Sequence, residues 1–333
     1  MNLKKNLMRW ETSLLVVIVL EIVVFGIINP TFFKPSVILG SITDYISVCI
    51  ISLFVTFVLI TGGMDIQAGS IVGLSSITLG LLWSELGLNV WVAAILAVVV
   101  GGICGAISGF FVAYIEVQPM VVTLGGSFLF SGIAIAANSL SDAPSHQGIT
   151  GYPESFLDLT KLRLFGVIPS QVVIFVVLII IGYILLQKTV YGRKVYLSGV
   201  NKDAAEYSGI STKPIIMSTY ILSGASAALA GVILTSYLGT SKPDYGKELT
   251  LPIITAVVLG GTSNYGGVGT VIGTALASLV ICFLRFGLSM AQIQTQYLDI
   301  FVGVLLIIAV ALRSNPNIFK RFSVKKLDTT EEK

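Results

Sequence analysis

Two glycine-rich stretches interrupt apolar runs where a lipid-spanning helix ought to continue. They are Thr61-Gly-Gly-Met-Asp-Ile-Gln-Ala-Gly-Ser70 and Leu259-Gly-Gly-Thr-Ser-Asn-Tyr-Gly-Gly-Val-Gly269. Glycine weakens a helix, and each unpaired backbone group in hydrocarbon is costly. Broken backbone at membrane depth survives only where protein or a watery cavity surrounds it. Two such breaks in one membrane chain point to a transport path.

The chain has 333 residues, of which 55% are hydrophobic and only 11% charged. A soluble domain carries about 25% charged residues. The apolar runs are long and continuous, which excludes the alternating ten-residue segments of a membrane β-barrel. The reading is an all-α polytopic membrane protein in which residues 1–333 form a single transmembrane domain. Cys49, Cys104 and Cys282 all fall inside apolar runs. They are expected as buried packing residues, with no metal site or disulfide. The single histidine, His146, is expected to be solvated in a polar loop.

A spanning helix needs roughly 20 residues. Ten candidate spans follow: 12–28, 45–60, 66–83, 90–114, 120–137, 167–187, 214–237, 251–261, 271–288 and 297–312. The eighth is short and suits a half-helix leading into the second glycine stretch. The first follows Lys4, Lys5 and Arg9, as in a signal peptide. It lacks a small-residue cleavage site and is expected to be retained.

Basic residues orient the chain. The N-terminal segment, the 188–213 loop and the 313–333 tail hold 14 of the 20 Lys and Arg. The loop contributes Lys188, Arg193, Lys194, Lys202 and Lys213. The tail contributes Arg313, Lys320, Arg321, Lys325, Lys326 and Lys333. Ten crossings put all three segments on the cytoplasmic side, with both termini inside. The 138–166 loop, with Asp142, His146, Glu154 and Asp158, then faces outward. The expected location is the cell inner membrane.

Small residues recur every fourth position at Gly101, Gly105 and Gly109, at Ser223, Ala227 and Gly231, and at Gly269, Gly273 and Ala277. Such faces let helix backbones approach closely. Intrachain packing is the expected use, with a subunit interface the alternative.

Few charges lie within the spans. Glu21 must face protein or water, through a packing hydrogen bond or a substrate contact. Arg285 and Asp299 lie at similar depth on consecutive spans, since a helix rises about 1.5 Å per residue. They are expected to form an ion pair stapling the two helices. Asp65, among Gly62, Gly63 and Gly69, either accepts local backbone N–H groups or binds a polar solute.

No phosphate-binding GxxxxGK[ST] loop, HExxH, paired-Cys motif or nucleophile elbow occurs, so no catalytic residue is assigned. A solute path without its own energy source needs a gradient or a partner. In the 188–213 loop, Asn201 is placed to cap a short helix over Lys202–Ser208, ended by Gly209. This segment reads either as a docking knob for a partner or as a solvated loop.

Within that loop, Gly192-Arg193, Asn201, Ala204-Ala205 and Gly209-Ile210 resemble the coupling loop of ribose-type sugar permeases of ABC importers. These belong to the wider branched-chain amino acid and ribose permease superfamily. The stretch Thr61–Ser70 resembles that family's TGGIDLSVGS-like signature. Val257-Val-Leu-Gly-Gly-Thr262, with Gly266-Gly267 and Gly269, resembles its second signature, and Thr123-Leu-Gly125 a third. Within the family, Glu21–Pro30, Pro252–Gly261 and Gly148–Pro153 look most like the D-type permeases of autoinducer-2 importers.

The resemblance implies a permease subunit that imports a small, sugar-like solute by alternating access. The implied solute is autoinducer-2, with ribose or another monosaccharide as the alternative. A gradient-driven transporter is a further reading. The resemblance implies that Gly62, Gly63, Asp65, Gln67, Ser70, Thr123, Gly125, Gly260, Gly261 and Asn264 line or gate the path. It gives ATPase coupling to Gly192, Arg193, Asn201, Ala204, Ala205, Glu206 and Gly209. The implied partners are an ATP-binding subunit, a second related permease, a periplasmic solute-binding protein and membrane lipid, with no nucleic acid. No cofactor is expected in this chain, ATP being used by the partner. Met64, Gln67 and Ala68 depart from the ribose-type pattern.

Overall fold

The computed structural model describes residues 3–141, 148–164, 166–294 and 297–314. Asp142, His146 and the tail cations Lys320, Arg321, Lys325, Lys326 and Lys333 lie outside them. So do the side chains of Lys4, Lys5, Arg9 and Arg313.

Helix α1 spans Leu3–Ile28, and a 3-10 turn at Pro30–Phe33 leads into α2, Pro35–Asp44. Proline opens α2, as it does the helix that begins at Pro119, where its fixed φ suits the first turn. Helix α3, Ile46–Ile60, is buried at every residue. A helix apolar all round belongs in a core, and α3 is the central post of the bundle. After the first break come α4 (Ala68–Ser84), α5 (Val90–Ala113) and α6 (Pro119–Asn138). Asn89 caps α5 by accepting the Trp91 N–H at 2.9 Å.

The segment expected as a long loop holds α7, Glu154–Lys161, and a two-stranded antiparallel hairpin, β1 (Arg163–Leu164) and β2 (Ile168–Pro169). It is pinned to the rest of the same face: Ile149 bridges Ser241, and Tyr152 Oη pairs with Ser241 Oγ at 2.6 Å.

Helix α8, Ser170–Tyr183, continues through one π turn at Ile184–Lys188. The expected loop at 188–213 is then two helices, α9 (Val190–Val200) and α10 (Lys202–Tyr207). Thr189 caps the first and Asn201 the second. Gly209, at φ +79°, closes the turn after α10. Helices α11 (Thr212–Leu238), α12 (Thr250–Leu259), α13 (Val271–Met290) and α14 (Leu298–Ser314) complete the chain.

Each of the ten expected spans contains a helix. Among the described residues, six are long and apolar enough to cross a membrane alone: α1, α5, α6, α8, α11 and α13. The α2–α3 pair, bent by 62°, makes a seventh if taken as one span. Helices α4 and α12 are shorter apolar helices, each adjoining a glycine stretch.

The small-residue faces are used within the chain. A Cβ on Gly105 would stand 2.1 Å from the Tyr220 carbonyl oxygen, so α5 and α11 touch backbone to backbone. Gly231 meets Ser75 and Val72 of α4, and Gly273 meets the Gly260 carbonyl. All three cysteines are buried and free.

Arg285 of α13 donates to the Asp299 carboxylate at the start of α14, and its guanidinium lies 5.8 Å from the Tyr45 ring centroid. Asp299 is exposed, so solvent weakens the attraction, and such pairs contribute about 0–1 kcal/mol. Arg285→Ala and Asp299→Ala should each lower the thermal midpoint by a few degrees. A double mutant costing less than the sum of the singles would demonstrate the coupling, and strict additivity would refute it.

Candidate functional site

The two glycine stretches meet. Helix α3 ends at Ile60 because Gly62, at φ +78°, turns the chain where a Cβ would be strained. The N–H groups of Gly62 and Gly63 close onto the Leu59 and Val58 carbonyls at 2.9 and 3.0 Å. The freed Ile60 carbonyl accepts the N–H of Gly267, in the second stretch, at 2.8 Å. Farther on, Met64 O accepts Tyr220 Oη at 3.4 Å, and Ile66 O accepts Thr250 Oγ1 at 3.3 Å. Side chains and backbone of other elements thus replace the missing helix ladder, as a break at membrane depth demands.

Asp65 is buried within this first break. One carboxylate oxygen accepts the Gln67 N–H at 3.1 Å, and the other accepts Ser223 Oγ of α11 at 2.5 Å. Gln67 is also buried. Its Oε1 accepts Ser108 Oγ of α5 at 2.6 Å, while its Nε2 is buried without a hydrogen-bond partner. Both side chains point into the helix packing and brace the break against α5 and α11. Ser70 pairs with Ser127 at 2.9 Å and accepts from Ser131 at 3.2 Å, tying α4 to α6.

The second break is held from the opposite end of the sequence. Trp10 Nε1 donates to the last carbonyl of α12, Leu259 O, at 2.8 Å. Its indole also covers Gly261, which sits at φ +95°. Thr270 caps α13 and donates to Glu11 at 3.1 Å. Gly260 is buried against the backbone of α13.

Between the breaks lies a cleft of about 160 Å³ lined by Leu59, Gly62, Gly63, Met64, Gln118, Pro119, Met120 and Asn264. Three expected path residues, Gly62, Gly63 and Asn264, line it. Asp65, Gln67, Ser70, Gly260 and Gly261 serve packing around it instead. Thr123 is buried and bonded to Pro119 O of its own helix at 3.0 Å. Gly125 is exposed, with open space where a Cβ would project.

The α9–α10 pair presses directly on this junction. A Cβ on Gly199 would fall 1.7 Å from Ile60 O and 2.8 Å from Gly267 N, on the bond that joins the two breaks. Tyr196 Oη donates to Gly269 O at 2.6 Å. Gly192 is buried against the Leu186 carbonyl. Asn201 caps α10 through the Ala204 N–H at 2.9 Å, and Glu206 accepts from Thr212. Ala205 is buried beneath α10, whereas Arg193, Ala204 and Glu206 are exposed. Leu197, Val200, Tyr207 and Tyr265 leave apolar surface exposed beside them.

Glu116, in the α5–α6 connection, has the left-handed φ of +63°. It accepts Lys202 of α10 at 2.9 Å and lies 3.6 Å from Lys213. The Lys202 hydrogen bond, with the two ammonium charges, holds its carboxyl below the usual range. Glu21 is buried in α1, and its Oε2 finds no hydrogen-bond partner. No group of three metal-binding side chains occurs among the described residues.

Trp10, Glu116, Tyr196 and Tyr220 also hold the site, though the sequence does not mark them. Each acts through a contact distant in sequence, so no periodic or motif signal marks it. Ser223 was legible only as a small packing residue.

Comparison with known proteins places these features in a family. Residues 37–310 match the family described as branched-chain amino acid transport system / permease component. The chain is 39% identical over 305 residues to the autoinducer 2 import system permease protein LsrD of Salmonella paratyphi A, covering 92% of this chain and 91% of that one. The LsrD proteins of Photorhabdus laumondii and Escherichia coli SMS-3-5 are each 38% identical over the same length. They are covered to 91% and 92%, respectively. No solved structure matches.

Proposed function

The chain belongs to the permease family of the branched-chain amino acid transport systems, and we propose that its cargo is autoinducer-2. It is a multi-pass inner-membrane permease subunit of an ABC importer, not a catalytic enzyme. The substrate reading rests on relatives named for autoinducer-2 import across nine-tenths of the chain. Ribose or another monosaccharide is the alternative in the same family.

The partners follow from the mechanism. A soluble binding protein delivers solute to the face bearing α7 and the 239–250 connection. An ATP-binding subunit docks on α9–α10 and supplies the energy, and a second, related permease completes the path. Both termini and the α9–α10 face lie in the cytoplasm, in a ten-crossing arrangement. No cofactor is held by this chain.

One observation carries the mechanism: the Gly267-to-Ile60 hydrogen bond, with Gly199 of α9 pressed on it. A displacement of α9–α10 by the ATPase strains or releases a bond that joins the two broken segments. The cleft at Gly62, Gly63 and Asn264 then opens and closes. Glu116 ties the start of α6 into the same movement through Lys202.

Uptake of autoinducer-2 and of ribose into vesicles, with and without partner chains and ATP, tests this. Uptake driven by an ion gradient without partners would overturn it. Arg193→Glu should weaken ATPase docking about tenfold, with a strong salt dependence, because it reverses an exposed charge. Ala205→Glu puts an unpaired charge under α10 and should cut ATP-driven uptake more than tenfold. Membrane insertion should be retained in both. Normal uptake by both variants would remove the docking surface from α9–α10.

A further inference from the structure

On the opposite face from α9–α10 lies a second cleft, of about 520 Å³, that the transport path does not use. Asp44 at the end of α2, Lys161 at the end of α7, Arg163 in the hairpin, Gln171 in α8 and Tyr237 near the end of α11 line it. Its depth follows from α11, which leaves α10 at Thr212 and reaches the cleft at Tyr237. A 27-residue helix rises about 40 Å at 1.5 Å per residue. The hydrocarbon core is about 30 Å thick, so the cleft sits at the head-group level of the far leaflet. Val37 and Phe286 supply apolar wall. Leu162, Leu164 and Val167 of the adjoining hairpin expose apolar surface beside the two cations. Apolar side chains flanked by Lys and Arg suit a membrane interface.

Gln171 adds an unpaired polar group to the cleft. It is wholly buried, yet neither its Nε2 nor its Oε1 has a hydrogen-bond partner. A buried amide left unpaired is costly, and a ligand offering a donor and an acceptor removes that cost. The charges set the ligand's pattern. Lys161 and Arg163 make no ion pair with a described residue. Asp44 accepts Tyr237 Oη at 2.7 Å through one oxygen, leaving the other available.

We propose that this cleft binds the head group of a phosphoethanolamine lipid. The phosphate sits against Lys161 and Arg163, and the ammonium against Asp44. The Gln171 amide donates to an ester or phosphate oxygen and accepts from the ammonium. The paired signs favour this zwitterion over an anionic glycerol head group, which leaves Asp44 unmatched. They also favour it over a trimethylated head group, whose nitrogen has no N–H to give Asp44 or Gln171.

The test uses the full chain purified in neutral detergent. Retention of added phosphatidylethanolamine, phosphatidylcholine and phosphatidylglycerol is followed by native mass spectrometry, with soluble phosphoethanolamine and inorganic phosphate as separate arms. Phosphatidylethanolamine should be retained at least fivefold over the other two. The Lys161→Ala/Arg163→Ala pair should lose at least tenfold in retention. Both residues are exposed, so folding survives their loss. Asp44→Asn should remove the preference over phosphatidylglycerol. Gln171→Leu should lose retention while its thermal midpoint in lipid-free detergent is not lowered. Equal retention of all three lipids, or unchanged retention in the Lys161/Arg163 variant, overturns the assignment. Binding of the soluble phosphates without any lipid also overturns it, in favour of a free phosphate-bearing solute.

Discussion

Gly199→Ala is expected to abolish at least nine-tenths of ATP-driven uptake, although it adds a single methyl group to a helix. The methyl would stand 1.7 Å from Ile60 O and 2.8 Å from Gly267 N. Both atoms belong to backbone, so no flexible side chain can yield. Either α9 moves outward or the hydrogen bond joining the two breaks opens. Overpacking of this kind costs about 1–3 kcal/mol, comparable to the gap between two states of a switching protein. The substitution should therefore shift the conformational balance before it unfolds the chain. Gly40→Ala is the control, because its Cβ meets nothing within 4 Å. It should leave uptake unchanged and add slightly to stability, alanine being the better helix former by about 1 kcal/mol. Initial uptake rates, normalised to inserted protein, decide the matter. Wild-type uptake by Gly199→Ala would mean that α9 does not bear on the junction during transport.

The contrast between these two glycines shows what the sequence could and could not disclose. Apolar run length located the helices, because lipid imposes a local rule that any window of twenty residues can satisfy or fail. Even the short eighth run was legible as a half-helix, and it is α12, Thr250–Leu259. The cap on α10 was legible because Asn201 acts on its immediate neighbours. Helix α9 was not: its buried face combines Val195 with the small residues Gly192 and Ser198, and Gly192 and Gly199 meet backbone carbonyls, so a mixed polar segment shows little apolar stripe. The meeting of the two glycine stretches was also hidden. It rests on a bond between Gly267 and Ile60, and on Trp10 reaching Leu259 across 249 positions. Nothing in a glycine identifies which distant carbonyl will approach it. Among the expected path residues, the motif marked a segment but not which of its residues border the cleft. Gly62 and Gly63 face the cleft, while Asp65 and Gln67, only a few positions on, turn into the packing.

Asp65 provides the sharper test of mechanism. Asp65→Ala should reduce uptake more than tenfold, and Asp65→Asn should retain at least a third of it. The carboxylate accepts from the Gln67 N–H and from Ser223 Oγ. Asparagine keeps the first contact with its Oδ1 and the second with its Nδ2, because a serine hydroxyl can accept as well as donate. The loss is then the difference between a charge-assisted and a neutral hydrogen bond, about 1–2 kcal/mol. Alanine removes both contacts and leaves the buried Ser223 hydroxyl without its acceptor, at a cost of about 2–4 kcal/mol. The break between α3 and α4 would also lose its anchor on α11. A carboxylate that carried protons for gradient-driven transport would behave differently, since asparagine cannot titrate. In that case Asp65→Asn would be as inactive as Asp65→Ala. Initial rates with partner chains and ATP, and separately under an imposed pH gradient, distinguish a brace from a relay. Retained ATP-driven uptake in Asp65→Asn identifies the acidic residue of the first glycine stretch as the clasp that lets a broken helix persist inside the membrane.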